Sequence, residues 1–385
     1  MGQGKKLATW RRRRQAVEEE IPGNFNWSEL CPDLLRCVFK RLSFTALSRA
    51  KSVCSSWHSA SRGCVPNRNQ IPWLVLFPRN EETNKESSCV LFVPDDTERV
   101  YKTRDLGLDF FKSRCLATCG SWLLMSSPLR DLYMLNPLTG ERTNLPVTQY
   151  LRADLKYERA CFWIDNKTKD YLVIWNMAKS STFIKKRDNK WHEFPMVRWN
   201  EDLLYNHKDQ KLYVYNQKYC SVTTWDFSGD GIPREVDEHH LSFWFNHYDF
   251  PSWLNEEDDE LYWEKLVDFR TRVAVSVSGD VLGVACIKFS CKTWHFRIYK
   301  HVNGERVKID SLGDESLIYD IGITVFAKDI PGIKRNSIYF SGLDHGREDP
   351  GHIFVYDLTT QKMEPLPQRI FSSIQFSDAR WFFPC

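Results

Sequence analysis

Near residue 70 the hydrophobic pattern of this chain switches from helical to strand spacing, and one layer of secondary structure cannot satisfy both. Pro32 suits a first helical position, where its missing N–H costs nothing, and Leu34, Leu35, Val38 and Leu42 follow as one apolar stripe. Ser43 suits the cap of a second helix presenting Ala46, Leu47 and Ala50, and Val53, Cys54 and Trp57 continue the helical spacing after a short break. Three short helices in about 35 residues bury too little apolar surface to be secure alone, so they must dock on the rest of the chain or be covered by a partner. Gly63, Pro66 and Pro72 then mark a linker.

From Trp73 onward the helical period is gone. Short runs rich in Val, Ile, Tyr, Phe and Trp alternate with turn chemistry: Asn136-Pro137, Asp165-Asn166, Asp209-Gln210, Gly279-Asp280 and Asn303-Gly304, the last being the strongest hairpin signal. The run from Leu132 to Arg142 ending on Leu145-Pro146 shares its cadence with that from Ile353 to Lys362 ending on Leu366-Pro367. Amphipathic helices of the kind a parallel α/β fold needs between its strands are absent from this half. Roughly 315 residues at ~45 to 50 per four-stranded unit predict a β-propeller of six blades, with seven the alternative. The segment from Trp73 to Phe77 and the apolar tail at Trp381-Phe382-Phe383 are expected to meet and close the ring.

Charge narrows the range of partners. The chain holds 53 basic and 50 acidic residues in 385, but Lys5, Lys6 and Arg11 to Arg14 stand against only Glu18, Glu19 and Glu20 in the first 20, leaving 47 of each sign in the remainder. A neutral body argues against tracking nucleic acid, which calls for a strongly basic surface. The 12 cysteines are spread from Cys31 to Cys385 without a Cys-x-x-Cys pair, and are read as free thiols. No run of ~18 apolar residues is available to span a bilayer. These features place the protein in the nucleus or cytoplasm, with no membrane partner. The run Arg11, Arg12, Arg13 and Arg14 is the candidate nuclear localisation element.

Two resemblances follow. Leu30-Cys31-Pro32-Asp33-Leu34-Leu35, then Val38, Arg41-Leu42, Leu47, Arg49-Ala50 and Val53-Cys54-Ser55-Ser56-Trp57, resemble an F-box, with Cys31 inserted where that family has Leu-Pro adjacent. The later passages Asp310-Ser311-Leu312-Gly313-Asp314 and Ala327 to Gly332, followed by Asn336-Ser337-Ile338-Tyr339-Phe340, resemble the KIB-type β-propeller of plant F-box proteins. The resemblance implies a small all-α F-box followed by an all-β propeller. It also implies a non-catalytic subunit of an SCF-type ubiquitin ligase, which binds a Skp-type adaptor, and through it cullin, with one module and a target protein with the other. On that basis Leu30, Pro32, Leu34, Leu35, Val38, Leu42, Leu47, Val53 and Trp57 form or support the adaptor-facing helices. The expected organisation is a tail over 1–24, the F-box over 25–64, a linker over 65–72 and the propeller over 73–385. The alternatives are an F-box scaffold acting outside degradation and a ligand-binding or enzymatic propeller.

An enzyme needs a constellation of reactive groups. The chain shows no nucleotide-binding glycine loop, zinc-protease helix or nucleophile elbow. His239-His240 and His247, near the acids Glu256 to Glu260, are the only concentration of imidazole and carboxylate, and the spacing is wrong for ligation. No cofactor or metal is expected. The same stretch carries Trp244, Phe245, Tyr248 and Trp253, where the family resemblance is poorest, and these aromatics are the candidate target contacts.

Overall fold

The computed structural model describes residues 27–42, 44–62, 64, 72–78, 87–93, 100–147, 159–177, 180–195, 200–216, 221–229, 231–239, 266–289, 294–302, 305–329, 333–341, 353–365 and 376–384. The chain divides into two compact units, Met1–Pro66 and Asn67–Cys385.

The first unit is helical. A 3-10 turn at Trp27–Glu29 precedes α1 (Pro32–Phe39), α2 (Phe44–Ala50) and α3 (Ser55–Ala60). Pro32 opens α1 with Cys31 extended before it, as the fixed φ of proline favours. Leu35, Phe39, Leu47, Ala50, Ala60 and Cys64 form the core of the unit.

The second unit begins with β1 (Trp73–Pro78), β2 (Val90–Phe92), β3 (Val100–Lys102), α4 (Leu108–Lys112), β4 (Arg114–Cys119), β5 (Trp122–Ser126), β6 (Leu132–Leu135) and β7 (Arg142–Asn144). It continues with β8 (Arg159–Ile164), β9 (Tyr171–Met177), β10 (Ser180–Lys185), β11 (His192–Phe194), β12 (Asn200–Asn206), β13 (Lys211–Asn216), β14 (Ser221–Asp226) and β15 (Arg234–His239). The last part holds β16 (Leu266–Val275), β17 (Val281–Phe289), β18 (Trp294–Val302), β19 (Glu305–Ile309), β20 (Glu315–Ile318), β21 (Ile323–Phe326), β22 (Ser337–Phe340), β23 (Phe354–Asp357), β24 (Lys362–Pro365) and β25 (Phe376–Phe382).

These strands form four antiparallel sheets of four, β25-β1-β2-β3, β4-β5-β6-β7, β8-β9-β10-β11 and β12-β13-β14-β15, and one nine-stranded sheet, β19-β18-β17-β16-β21-β20-β22-β23-β24. Consecutive sheets pack face to face. Trp122 and Met134 meet Phe162 and Trp175 in one interface; Ile174 and Phe183 meet Val214 and Trp225 in the next. Phe296 and Ile298 meet Phe340 and Tyr356 in the last part. The result is a propeller-like fold that is predominantly β.

The two ends of this unit meet as expected. Strand β1 lies between β2 and β25, with Trp73 opposite Phe382 and Leu74 opposite Trp381. Thr118 on β4 donates to the Trp381 carbonyl at 2.8 Å, tying the closing strand to the next sheet.

The turn cadence has a shared physical cause. Asn136 Oδ1 accepts from the N–H groups of Leu138 and Thr139, Asp165 Oδ1 from Lys167 and Thr168, and Asp357 Oδ1 from Thr359 and Thr360. Each is an Asx turn that bends the backbone without help from a partner strand. The chain then passes through a left-handed residue: Gly140 in the first case, Lys169 in the second and Gln361 in the third. The backbone N–H bonds hold the Asp165 and Asp357 carboxyls below the usual range.

The nine-stranded sheet contains what an up-and-down blade pattern does not predict, the parallel pairs β16/β21 and β20/β22. The first is a single register position, Val275 opposite Ile323. Val275 N–H donates to the Gly322 carbonyl at 2.8 Å. Gly322 has φ +74°, and a Cβ there would lie 2.7 Å from the Val273 carbonyl oxygen, so only glycine permits this approach. The strands flanking Asn303-Gly304 do pair, with Val302 opposite Glu305; the two loop residues lie outside the described residues.

Candidate functional site

In the helical unit, adjacent residues of α1 point about 100° apart, as a helix of 3.6 residues per turn requires. The apolar positions therefore divide between two directions instead of forming the single stripe expected. Leu35 and Phe39, one turn apart, enter the core, while Leu34 and Val38, also one turn apart, are exposed. Leu47 is buried beside Leu35; Leu30, Leu42 and Trp57 are partly buried against the same core. Pro32 and Val53 are exposed.

Trp57 joins these two layers. Its ring meets Phe39 edge-on at 5.4 Å between centroids, and its Nε1 donates to the Trp27 carbonyl at 3.0 Å. Ser56 Oγ donates to the Ser28 carbonyl at 3.1 Å. Both bonds run from α3 to the 3-10 turn, so α3 holds Trp27 in place, and that ring is 62% exposed. The surface result is an apolar set, Trp27, Leu34, Val38 and Val53, raised on a fully packed interior. Sequence reasoning missed Trp27 as a surface group and Phe39 as the core's central ring. The spacing from Leu35 to Phe39 was the available signal for the second.

The charges on α1 add little. Asp33 and Arg36 pair at 2.9 Å on the exposed side, and exposed helix pairs contribute about 0.3 to 0.5 kcal/mol. Cys54, partly buried at the N-cap of α3, has a thiol lowered below its usual range chiefly by the Ser56 side-chain hydrogen bond at 3.1 Å.

In the strand unit, the passages that carry the second resemblance meet in space. Asn336 Oδ1 accepts from the Leu312 N–H at 2.7 Å and from Ser311 Oγ at 3.1 Å, and its Nδ2 donates to Thr359 Oγ1 at 2.9 Å. Ala327 N–H donates to the Asp314 carbonyl at 2.9 Å, and Lys334 N–H to the Tyr339 hydroxyl at 2.9 Å. These residues lock turns together and carry no reactive chemistry. Among the described residues no group of His, Cys, Asp and Glu could hold a metal ion. No helix among them is long and apolar enough to cross a membrane.

The aromatic candidates Trp244, Phe245, Tyr248 and Trp253 lie outside the described residues, as do Arg11, Arg12, Arg13 and Arg14. The segment that carries the four aromatics joins β15, the edge strand of its sheet, to β16 of the next.

Comparison with known proteins agrees with both halves. The F-box domain model matches residues 27–69 and the KIB1-4 beta-propeller model residues 90–357. The F-box protein At2g05970 of Arabidopsis thaliana is 52% identical over 369 residues, covering 93% of this chain and 96% of the relative. A second Arabidopsis thaliana sequence, At4g17565, is also 52% identical over 369 residues, covering 93% and 94%. The F-box protein At1g69090 from the same plant is 40% identical over 379 residues, covering 93% and 92%. With the propeller model spanning well over half the chain, this protein belongs to the plant F-box proteins that carry a KIB1-4 β-propeller.

Proposed function

We propose that this protein is a substrate-recognition subunit of an SCF-type ubiquitin ligase, with the F-box unit binding a Skp-type adaptor and the propeller holding a target protein. The observation that carries the reading is the exposed apolar set Trp27, Leu34, Val38 and Val53 on a helical unit whose interior is already packed by Leu35, Phe39 and Leu47. An apolar face left over after the core is filled is an interaction surface. A standard interface would bury about 800 Å² of it. The subunit then acts by proximity, raising the local concentration of target at a ligase whose chemistry resides elsewhere.

Six blades fit the sheets best when the nine-stranded sheet is divided at the single β16/β21 register position. The aromatic segment around Trp244 and Trp253 is the proposed target contact, and Arg11 to Arg14 the proposed address for nuclear import. The adaptor assignment is tested by replacing Leu30 and Pro32 together with Ala and measuring capture by a purified Skp-type adaptor. Loss of capture with the propeller still folded is expected. Undiminished capture would overturn the assignment.

A further inference from the structure

The helical unit carries charge of one sign along most of its length. From Trp27 to Cys64 its two acidic residues, Glu29 and Asp33, both come at the beginning. Six basic residues follow without a further carboxylate: Arg36, Lys40, Arg41, Arg49, Lys51 and Arg62. Arg36 is paired with Asp33. Arg49 lies exposed in the last turn of α2, and Lys51 follows it in the turn that leads to α3. A negative group placed in that turn therefore meets two cations close in the chain and no like charge on either side of it from Leu34 to Cys64.

Ser52 is the middle residue of that turn, and it is exposed. Backbone groups alone close the turn: Lys51 N–H donates to the Leu47 carbonyl at 3.0 Å, Ser52 N–H to the Arg49 carbonyl at 2.9 Å and Val53 N–H to the Ala50 carbonyl at 3.2 Å. The Ser52 hydroxyl has no hydrogen-bond partner among the described residues. Other serines of the unit are tied down, Ser56 to the Ser28 carbonyl and Ser61 to the His58 carbonyl at 2.7 Å. Of the exposed serines Ser28, Ser52, Ser55, Ser56 and Ser59, Ser52 alone has an arginine or lysine within the three places before it. Arg49 and Lys51 stand three places and one place upstream, where the acidic groups of a basophilic protein kinase can hold them while the hydroxyl enters its active site.

We propose that Ser52 is a phosphorylation site whose modification releases the helical unit from its adaptor, a proposal that rests on the adaptor reading above. A basophilic kinase transfers the γ-phosphoryl group of ATP to Ser52 Oγ. The Oγ–P bond forms, the bond from that phosphorus to the β,γ-bridging oxygen breaks, ADP leaves, and the hydroxyl proton passes to the kinase's base. The product carries about −1.5 to −2 charges where a neutral hydroxyl stood. Val53 is the next residue, about 3.8 Å away between Cα atoms, and it is a 62% exposed member of the apolar set. A standard contact of about 800 Å² is about 30 Å across, so Ser52 lies within it or on its margin. An adaptor that covers Val53 has to strip water from the phosphate, and the modified unit presents less of its positive charge.

The test uses the full chain in two forms, unmodified and with phosphoserine incorporated at position 52 during translation, each titrated with a purified Skp-type adaptor and each melted. Equal Tm is expected, because the Ser52 hydroxyl holds nothing in the fold, together with adaptor binding weakened about tenfold or more and restored by phosphatase. Ser52→Ala, which has no oxygen to modify, should bind like the unmodified chain. Equal or tighter binding by the phosphorylated form overturns the proposal and leaves the adaptor reading standing. Weaker binding with a depressed Tm also overturns it, since the loss then comes from unfolding. No binding by either form sinks the adaptor reading, and the proposal with it. Occurrence is read by tandem mass spectrometry of the chain recovered from plant cells with phosphatases inhibited: phosphate on Ser52 is expected, and full coverage of its peptide without phosphate overturns the assignment.

Discussion

Leu34 and Leu35 are neighbours in the chain and point about 100° apart on one helix, the first 56% exposed and the second 1% exposed. Under the proposed adaptor role, the two leucines separate partner binding from folding. Leu34→Asp should leave stability within about 0.5 kcal/mol, since it touches no core group, and should abolish capture of a Skp-type adaptor. Leu35→Ala should cost about 2 to 5 kcal/mol through lost burial and the cavity left behind. Hydrogen exchange over Trp27 to Cys64 reads the second effect and pull-down reads the first. If Leu34→Asp retained capture, the adaptor would have to use a different face.

Backbone strain offers a second test, in two directions. Gln361 sits at φ 53° in an Asx turn where Gly140 serves at the equivalent place. The left-handed conformation costs an ordinary residue about 1 to 2 kcal/mol, offset in part by the larger entropy that glycine loses on folding. Gln361→Gly should thus stabilise the propeller by about 0.5 to 1 kcal/mol, visible as a rise in Tm. Gly322→Ala should do the reverse. Its new Cβ would meet the Val273 carbonyl, which is backbone and cannot swing away, so about 3 kcal/mol or more should be lost. A Gly322→Ala protein melting like wild type would contradict the close approach of β16 and β21.

Asp202 predicts a pH effect of defined sign. Its carboxyl is raised above its ordinary 3.8 by burial, with Arg272 pulling the other way. The folded state then holds its proton more tightly than the unfolded one. Its favourable contribution is present below the unfolded value and is lost as pH rises through the raised one. Asp202→Asn keeps an acceptor for the Val273 N–H but cannot ionise. The variant should gain on wild type as pH rises above the ordinary carboxyl value of 3.8 when urea midpoints are compared. A variant that instead lost ground above that value would show that Arg272 outweighs the burial.

Much of this architecture is legible in the sequence because its turns are self-contained. Asn136, Asp165 and Asp357 bend the chain with their own side-chain oxygens, so the signal is local and survives without tertiary context. The parallel pairs are not local. Nothing in Ile321-Gly322-Ile323 says that this glycine lies against Val273, because the constraint belongs to a strand nearly fifty residues away. Likewise Leu34 and Leu35 are chemically identical in the sequence, and only the packing of Phe39 against Trp57 decides which one turns inward. The charged inner strands did carry a signal. Arg270 and Arg272, and again Asp378 and Arg380, place charge at every second position within strand-like runs, where a charge must either face water or find partners.

The proposed target contact rests on four aromatics in the segment between β15 and β16, and it can be separated from a core role by reading two quantities on the same protein. A ring that packs between blades would cost about 3 to 5 kcal/mol when truncated to Ala, and the Tm would fall with it. A ring that serves as an interface anchor would leave the Tm unchanged and cost binding alone, since hot spots are concentrated in Trp and Tyr. Trp244→Ala and Trp253→Ala, made separately, should melt like wild type while losing a defined subset of the proteins labelled by proximity in plant cells. The same subset should persist in Leu34→Asp, whose defect lies in the other unit. Soluble Trp variants that kept the whole subset would remove this segment from target recognition, and variants with depressed Tm would reassign the rings to the blade core.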